Sequence, residues 1–279
     1  MNFILGALNG LLRPLFDLML LPFRQLHPMV GLTVVSLGCA VLMLLGYRAT
    51  SNQEAIEGVK RKIAAGLFEI RLFNDDIVAI LRAQGGILRN NLTYLGLNLV
   101  PMVFMMVPFV LVIAQLQFHY GYHGLAVGEQ TVLQVNLADG VNVGTSPEAT
   151  VNLPAGLRLD SPRVWIPARN QLAWRLVADA VGDFEVEIEV AGQRLTKRVV
   201  VSDAVVRRSP YRLAPGFVNL LLYPAEPPLP GDGAVTQVDV IYPTREVGLF
   251  GFETDWMIVF FLLTIVLAFG LKGRFGVTI

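Results

Sequence analysis

Three stretches of the chain are apolar enough to cross a bilayer as helices. A transmembrane helix needs about 20 apolar residues, and residues 28–47 and 92–116 both meet this length without a charged side chain. Trp256–Leu271 is shorter, but Trp256 suits one membrane interface and Lys272 can extend its amine to the other. The pattern predicts three transmembrane α-helices, at residues 28–47, 92–117 and 256–271.

The first 27 residues divide polar and apolar side chains between two helical faces. One face carries the small and polar residues Asn2, Gly6, Asn9, Gly10, Arg13 and Asp17. The other face carries Ile4, Leu8, Leu11, Leu15 and Leu18. This division predicts an amphipathic helix that lies in the outer membrane interface over residues 1–27. The alternative is a fourth transmembrane helix that is broken by Pro14.

Residues 48–91 show the alternating three-four spacing of a coiled coil. The apolar positions are Ile56, Val59, Ile63, Ile70, Phe73, Ile77, Ile80 and Ile87, with Gly66 and Gln84 at the remaining seam positions. Both ends must return to the same membrane face, and residues 74–76 (Asn-Asp-Asp) supply a helix N-cap. The pattern predicts a hairpin of two antiparallel helices that turns near Phe73 and Asn74. A stabilising role and a docking role are both open for this hairpin.

From Gln130 onward the pattern changes to short alternating runs that are separated by Gly and Pro turns. The predicted strands are TVLQVNL, RVWIP, QLAWRLVA, DFEVEIEVAG and QRLTKRVVVSD. They predict an all-β sandwich at residues 118–206, similar to an immunoglobulin-like fold without its cysteine pair. Residues 207–255 are rich in proline and include one further strand, TQVDVIYP. This segment is predicted to be a connector that packs against the bilayer.

The distribution of Lys and Arg predicts the orientation. The segment between the first two predicted spans contains Arg48, Lys60, Arg61, Lys62, Arg71, Arg82 and Arg89, and the tail contains Lys272 and Arg274. Because short cytoplasmic segments are enriched in these residues, residues 48–91 and the tail at 272–279 are predicted to be cytoplasmic. The N-terminus and residues 118–255 are predicted to be outside.

Composition agrees with a membrane protein. Hydrophobic residues make up 54% of the chain and charged residues only 16%, whereas soluble domains carry about 25% charged residues. The net charge of zero argues against a nucleic-acid partner. The single cysteine, Cys39, cannot build a disulfide framework. The predicted location is the inner membrane of a bacterium.

The sequence contains no recognisable catalytic, cofactor or metal site. It has only three histidines, at positions 27, 119 and 123, and it lacks nucleotide-binding and hydrolase motifs. The prediction is a protein that is not an enzyme and needs no cofactor. Polar side chains in or beside the spans are then the main functional signal, because they are costly in lipid. The candidate groove residues are Arg48, Asn91, Thr93, Asn98 and Gln115. Hydrogen bonds between helices are the alternative explanation for them.

The order of these parts resembles the YidC-type superfamily of membrane protein insertases. The closest likeness lies in residues 85–116 (GGILRNNLTYLGLNLVPMVFMMVPFVLVIAQL), with Pro101-Met102 and Pro108-Phe109 at its centre. The three-span plan is similar to the reduced members, such as the archaeal homologues and the third subunit of the ER membrane protein complex. The chain differs from YidC proteins in having no arginine within its first span and in the position of its external domain.

The resemblance implies a polar groove that is open to the cytoplasm and receives the hydrophilic end of a client protein. Its expected partners are the lipid bilayer, nascent membrane proteins and the ribosome. The alternative is a structural or scaffolding subunit of a larger membrane complex. Such a subunit would dock through the periplasmic β domain and the cytoplasmic hairpin.

Overall fold

A computed structural model of the chain describes residues 2–138, 147–249 and 251–277. The chain divides into two compact units. The first unit comprises residues 1–31 and 111–259, and the second comprises residues 32–110 and 260–279. Residues 139–146 of the predicted sandwich and residues 278–279 of the predicted tail lie outside the described residues.

Six α-helices account for the apolar stretches and the hairpin of the described chain. They are α1 (Asn2–Leu20), α2 (Pro28–Thr50), α3 (Gln53–Leu72), α4 (Ile77–Tyr120), α5 (Phe217–Leu222) and α6 (Trp256–Leu271). Three helical segments are long and apolar enough to cross a membrane: Asn2–Phe23, Pro28–Thr50 and Ile77–Tyr120. The sequence predicted α6 as the third span, but α6 has only 16 residues, and the N-terminal helix meets the length instead.

The second unit contains a helical hairpin at the predicted position. α3 ends at Leu72, and α4 begins at Ile77 after Asp76, whose Oδ1 accepts hydrogen bonds from the amides of Val78 (2.9 Å) and Ala79 (3.1 Å). This carboxylate satisfies amides that the first helical turn leaves free. Gly66 lies against Ile87, and the Lys60 amine lies 5.6 Å from the centre of the Tyr94 ring. These pairs show that α3 and α4 run antiparallel.

The hairpin seam differs from the prediction at three positions. Phe73 and Ile77, on either side of the turn, were predicted to lie in the seam but are exposed. Gln84 was predicted to face α3, but it is exposed and Ala83 is buried in its place. α4 starts at Ile77 as a separate helix, so the seam pattern of α3 does not continue into it. In α4 the residues that face α3 are Ile80, Ala83 and Ile87, which follow one another at the three-four spacing. The small Ala83 also suits a seam in which the opposing residue is Gly66.

The described helices of the second unit pack closely in two further places. A Cβ built on Gly46 of α2 would lie 2.5 Å from the Met105 methyl carbon on α4, so the missing side chain of Gly46 makes room for Met105 in this position. The ring of Phe109 on α4 lies 5.8 Å from that of Phe260 and 5.3 Å from that of Phe261, both on α6. α2 and α6 are therefore both held against α4.

The first unit contains a β-sandwich-like region of antiparallel sheets. The larger sheet contains β1 (Gln130–Leu137), β3 (Leu157–Leu159), β4 (Val164–Ile166), β5 (Gln171–Ala178), β8 (Tyr211–Leu213) and β9 (Val235–Val240), in the order β3-β5-β1-β9-β8 with β4 also paired to β5. The smaller sheet has the order β2-β6-β7, formed by Ala149–Asn152, Gly182–Val190 and Gln193–Val201. A hairpin of β10 (Glu246–Leu249) and β11 (Phe252–Asp255) precedes α6.

One hydrophobic core is shared by the two larger sheets. The larger sheet contributes side chains such as Leu133, Trp174 and Val238, and the smaller sheet contributes Val186 and Ile188. On β6 the valine and isoleucine side chains are buried while the glutamates between them are exposed, as the alternation predicted. β6 and β7 are joined by Ala191 and Gly192, which both have positive φ angles, as a two-residue hairpin turn requires.

The predicted connector at residues 207–255 is part of the sheet. β9 pairs with β1 and β8 pairs with β9, so this segment supplies two of the strands of the larger sheet. The sequence analysis ended the sandwich at residue 206 because prolines, which disfavour strands, lie at positions 210 and 215 on either side of the three residues of β8. A strand so short has no visible alternation, and its pairing depends on residues far away in sequence.

Arg208 is a fully buried cation that joins the segment after β7 to the segment after α4 in the first unit. Its Nη2 donates to the carbonyl oxygens of Ser202 and Ala204, both at 2.7 Å, and its Nη1 donates to those of Tyr122 and Val206, both at 3.2 Å. No carboxylate is among these partners. Burial, and after it the charge of Arg245, lowers the pKa of Arg208 to about 10. The guanidinium stays charged at neutral pH and is solvated by carbonyl dipoles.

We predict that Arg208→Met destabilises the protein by about 3–5 kcal/mol, because four carbonyl oxygens lose a charged donor at a fully buried position. The midpoint of thermal unfolding in detergent measures the effect. Arg194→Met is the matched control, since Arg194 is exposed and makes one 3.6 Å ion pair with Glu189. That control should cost less than about 0.5 kcal/mol. Equal losses for both variants would contradict the structural role of Arg208.

Asp239 on β9 is a buried carboxylate with incomplete hydrogen bonding. Its Oδ2 accepts from Gln237 Nε2 at 2.7 Å, whereas its Oδ1 has no partner among the described residues. Burial raises the pKa of Asp239 to about 6, against the opposing effects of Gln237 and the charge of Lys197. The folded state therefore binds this proton more tightly than the unfolded state, and its stability falls as pH rises from about 4 to about 6.

We predict that Asp239→Asn raises the free energy of unfolding at pH 7.5 by about 1–3 kcal/mol, because it removes a buried charge. At pH 4.5 the gain should nearly vanish, since the wild-type carboxyl group is then neutral. Thermal midpoints of both proteins at the two pH values test this. A gain of the same size at both pH values would contradict the raised pKa.

Candidate functional site

Among the candidate groove residues, Asn98 makes a contact between two helices of the second unit. The hydroxyl of Tyr47 on α2 donates a hydrogen bond to Asn98 Oδ1 on α4. The Asn98 amide nitrogen donates to the carbonyl oxygen of Tyr94 at 2.6 Å, one turn earlier on its own helix. Both ends of the Asn98 amide are therefore occupied, and its oxygen links α4 to α2.

Of the other candidate residues of the second unit, Asn91 and Thr93 bond within their own helix, whereas Arg48 reaches a distant segment. Asn91 Nδ2 donates to Ile87 O and Thr93 Oγ1 donates to Arg89 O, both at 3.0 Å and both within α4. Asn91 shares the helical face of Asn98 at a spacing of seven, but Thr93 points to a different side of α4. Arg48 Nη1 donates to Phe275 O at 3.0 Å, between the end of α2 and the segment after α6.

Gln115 is not part of this group, because it belongs to the first unit. Its side chain is buried, and its Nε2 has no hydrogen-bond partner among the described residues. The structure thus brings Asn98 together with Tyr47, which the sequence analysis did not include among the groove residues.

In the first unit, α1 is attached through the polar face that the sequence predicted. Asn9 is buried, and its Nδ2 donates to the carbonyl oxygen of Leu220 on α5 at 2.5 Å. Arg13 Nε donates to Pro224 O at 2.6 Å, and its Nη2 donates to Glu226 O at 3.2 Å. Two turns of α1 are held by backbone carbonyls of the segment between β8 and β9.

Asp17 completes this attachment on the next turn of α1. Its Oδ1 lies 3.0 Å from Nε2 of the buried His119, whose Nδ1 lies 2.9 Å from Gln115 O. Its Oδ2 lies 3.0 Å from Arg207 Nη2. One carboxylate therefore links α1 both to the end of α4 and to the segment after β7.

The apolar face of α1 points away from these partners. Phe3, Ile4, Leu11, Leu15 and Leu18 are all exposed, with between 52% and 87% of their surface accessible. An amphipathic helix on a soluble domain buries its apolar side, whereas α1 buries Asn9 together with Phe16 and Leu20 and leaves Leu11, Leu15 and Leu18 uncovered by the described chain. We call Leu11, Leu15 and Leu18 the leucine stripe. It needs an apolar environment that the first unit does not supply.

An open cleft of about 640 Å³ lies beside α1 in the first unit. Gly10, Arg13, Pro14 and Asp17 form the side that belongs to α1. The other walls come from β6, β7, β8 and the segments after β7 and α5, through Asp183, Phe184, Glu185, Thr196, Arg198, Arg207, Arg212, Ala225, Glu226 and Pro227. We call this space the arginine cleft, because four of its lining residues are arginines.

A buried ion pair lies at the base of the arginine cleft. The amine of Lys197, which is fully buried, donates to Glu226 Oε2, to Ser209 O at 2.6 Å and to Ser209 Oγ at 2.9 Å. Glu226 Oε1 also accepts from the amide of Arg198 at 2.8 Å. Burial lowers the pKa of Lys197, and the neighbouring charge of Glu226 opposes that effect. Glu226 is thus already neutralised from within the domain.

The sequence analysis missed the partners of α1. It identified the polar face of Asn9, Arg13 and Asp17, but His119 appeared only as one of three histidines, and Arg207 only as part of a connector. One feature of the sequence indicated that such partners exist: the face of α1 that carries Asn9, Arg13 and Asp17 is too polar for a helix that has no protein partner. Nothing local in the sequence indicates which of the distant residues supplies that partner.

No group of three or more His, Cys, Asp or Glu side chains in the described ranges could hold a metal ion. The chain matches no protein-family model, and a search of the curated proteins finds no match. Its function must therefore be argued from its own residues.

We predict that Asp17→Ala releases α1 from the rest of the first unit, because it leaves Arg207 and His119 without their common carboxylate. Hydrogen exchange of the α1 amides should become about 10- to 30-fold faster, which corresponds to about 1–2 kcal/mol of local opening. Asp160→Ala is a matched control, since the Asp160 side chain is also 27% exposed and also lies within ion-pair distance of two basic side chains, Arg158 and Arg175. Unchanged exchange in Asp17→Ala would contradict the attachment.

Proposed function

We propose that the chain is a bacterial inner-membrane protein that assists the insertion or assembly of other membrane proteins, without a cofactor. We further propose that it is a reduced member of the YidC-type superfamily. The observation behind the proposal is the hydrogen bond between Tyr47 and Asn98. A purely structural contact between helices would form the same bond, and the crosslinking experiment below separates the two. The bond places a polar group between two helices whose surroundings are otherwise apolar, as a groove for the hydrophilic end of a client requires.

The exposed surfaces of the second unit support a membrane location. On α4 the side chains of Leu99, Val103 and Val107 are more than half exposed, and on α6 Ile265 is 50% and Val266 67% exposed. Hydrocarbon is the solvent in which such side chains are stable. In this arrangement α2, α4 and α6 span the bilayer and the hairpin of α3 and α4 is cytoplasmic. The 16 residues of α6 then require a locally thin bilayer.

For α1 we propose a position in the outer interface rather than across the membrane. Asn9, Arg13 and Asp17 each bind a different part of the first unit. A spanning orientation would bring α5, the segment at 224–226 and Arg207 into the hydrocarbon together with α1, which is costly for their polar groups. An interfacial orientation immerses only the leucine stripe. The β-sandwich-like region, which we propose to be an immunoglobulin-like module, is then periplasmic.

No covalent step is needed for the proposed activity. Burial of the client's apolar helix in lipid supplies the free energy. The protein lowers the cost of moving the hydrophilic end, because the side chains of Tyr47, Asn91 and Asn98 offer hydrogen-bond partners below the membrane surface. Tyr47 and Asn98 bind one another until a client replaces one of these bonds.

A second candidate function is a structural subunit of a larger membrane complex. The tip of the α3–α4 hairpin favours it, because this tip exposes Phe68, Leu72, Phe73, Ile77, Val78 and Leu81. Single exposed apolar residues are ordinary on protein surfaces, but a continuous group of this kind marks an interaction site.

We predict that a photocrosslinker at position 98 captures newly made membrane proteins in cells. A photocrosslinker at position 262 on α6 should capture none, because Leu262 is half exposed on an apolar helix and would face lipid in the proposed arrangement. Asn98→Leu should lower client insertion several-fold and Tyr47→Phe should lower it less, since Tyr47→Phe leaves the amide in place. Leu262→Ala is the control variant. A single stoichiometric partner at position 98 would favour the structural-subunit function. Normal insertion by Asn98→Leu at wild-type protein levels would exclude the groove.

A further inference from the structure

The arginine cleft contains more cationic hydrogen-bonding capacity than its own carboxylates use. Asp183 is bound by Arg198, Asp17 by Arg207 and His119, and Glu226 by Lys197. Arg13 and Arg212 instead donate to carbonyl oxygens, those of Pro224 and Glu226 for Arg13 and those of Pro227 and Thr196 for Arg212. Neutral partners hold these two guanidinium groups in place without cancelling their charge.

Arg13, Arg198 and Arg212 each keep one N–H-bearing nitrogen without a hydrogen bond to a described residue. The three are Arg13 Nη1, Arg198 Nη1 and Arg212 Nη2, and none of them is among the buried nitrogens that lack a partner. These nitrogens are therefore open to solvent or to a ligand. The remaining bonds fix the orientation of each side chain, so little rotational freedom is left to lose on binding.

The cations of the cleft also repel one another. Arg207 lies within electrostatic range of both Arg13 and Arg198. Burial lowers the pKa of Arg207; the charge of Asp17 opposes this, and the charge of Arg198 adds to it. A bound anion would relieve this repulsion. Glu185 also lines the cleft, but it is exposed and unpaired among the described residues, so water screens its charge.

We propose that the arginine cleft binds a phosphate group. Guanidinium groups bind phosphate oxygens through charge-assisted, paired hydrogen bonds. The volume of about 640 Å³ exceeds that of a bare phosphate and falls in the range of small-ligand sites, about 300–1,000 Å³. It accommodates a phosphate with an organic substituent, such as a glycerophosphate.

The position of the cleft on α1 points to a phospholipid as the source of this phosphate. By helical spacing, Gly10, Arg13, Pro14 and Asp17 lie on the flank between the buried Asn9 and the exposed stripe of Leu11, Leu15 and Leu18. A lipid whose phosphate enters the cleft from this flank can lay its acyl chains along the leucine stripe. A free phosphate ester is the other source of the same chemistry, and the experiment separates the two.

Gly10→Glu is the most direct variant for the test. A Cβ built on Gly10 meets no atom within 4 Å, so a glutamate fits there and brings its own carboxylate to the cleft. Gly6→Glu is the matched control, because Gly6 is equally unobstructed and lies on the same helix but does not line the cleft. Both variants replace a helical glycine by a better helix former. Arg212→Gln, which removes a donor without adding a charge, is the second test variant.

The full chain, purified in mild detergent, is mixed with phosphatidylglycerol or with diacylglycerol of the same acyl chains, and retained lipid is counted by native mass spectrometry. We expect the wild type and Gly6→Glu to retain one phosphatidylglycerol and no diacylglycerol. Gly10→Glu and Arg212→Gln should each weaken retention by about tenfold or more. Hydrogen exchange of α1 at the wild-type rate shows that the variants are folded.

A parallel arm uses glycerol 3-phosphate without lipid and follows the thermal midpoint. Retention of phosphatidylglycerol that depends on Gly10 and Arg212 supports a lipid headgroup site. Stabilisation of the wild type by glycerol 3-phosphate, absent in Gly10→Glu and without lipid retention, supports a site for free phosphate esters. Retention of phosphatidylglycerol by Gly10→Glu at the wild-type level, or no binding of either probe by the wild type, overturns the proposal.

Discussion

The attachment of α1 by its polar side is the constraint on which the character of the first unit depends. Asn9, Arg13 and Asp17 occupy three successive turns, and each binds a group that the domain would otherwise leave without a partner. Once these bonds form, the orientation of the helix is determined, and Leu11, Leu15 and Leu18 must face outward. The bonds would be worth little beside the cost of exposing these leucines to water. The arrangement thus leaves Leu11, Leu15 and Leu18 for an apolar phase outside the unit to cover, which is what the proposed position in the membrane interface supplies.

The same region shows how buried charge can define one arrangement of segments. Arg208 is solvated by four carbonyl oxygens, Lys197 is paired with Glu226, and Arg207 depends on Asp17. A buried ion pair adds little net stability compared with an apolar pair, but removal of one partner is costly. Alternative packings of residues 202–226 would leave at least one of these cations without its partners. Charge thus selects the path of a proline-rich segment that has little regular secondary structure to guide it.

Local patterns in the sequence were sufficient to predict most of the helices and strands. Trp256–Leu271 and Gln171–Ala178 have the bounds that hydropathy and alternation predicted, and the turn between α3 and α4 follows the N-cap at Asp76. The place of β9 between β1 and β8 could not be predicted, because Val135 pairs with Val238 across a hundred residues. The arginine cleft could not be predicted either. Its walls come from α1, two strands of the smaller sheet and the connector, and no local pattern relates Arg13 to Arg212.

The polar residues of α4 show why a polar side chain in an apolar helix is a weak functional signal by itself. Thr93 and Asn91 donate to carbonyl oxygens one turn back on their own helix, so each satisfies its donor without a second helix. Asn98 does the same with its amide nitrogen, but its oxygen accepts from Tyr47. Only the bond to Tyr47 depends on how two helices pack. If a client molecule separates α2 from α4, the Asn98 oxygen loses this bond and can accept one from the client instead. Asn98 is therefore a stronger candidate for client binding than Asn91 or Thr93, although the sequence alone does not distinguish the three.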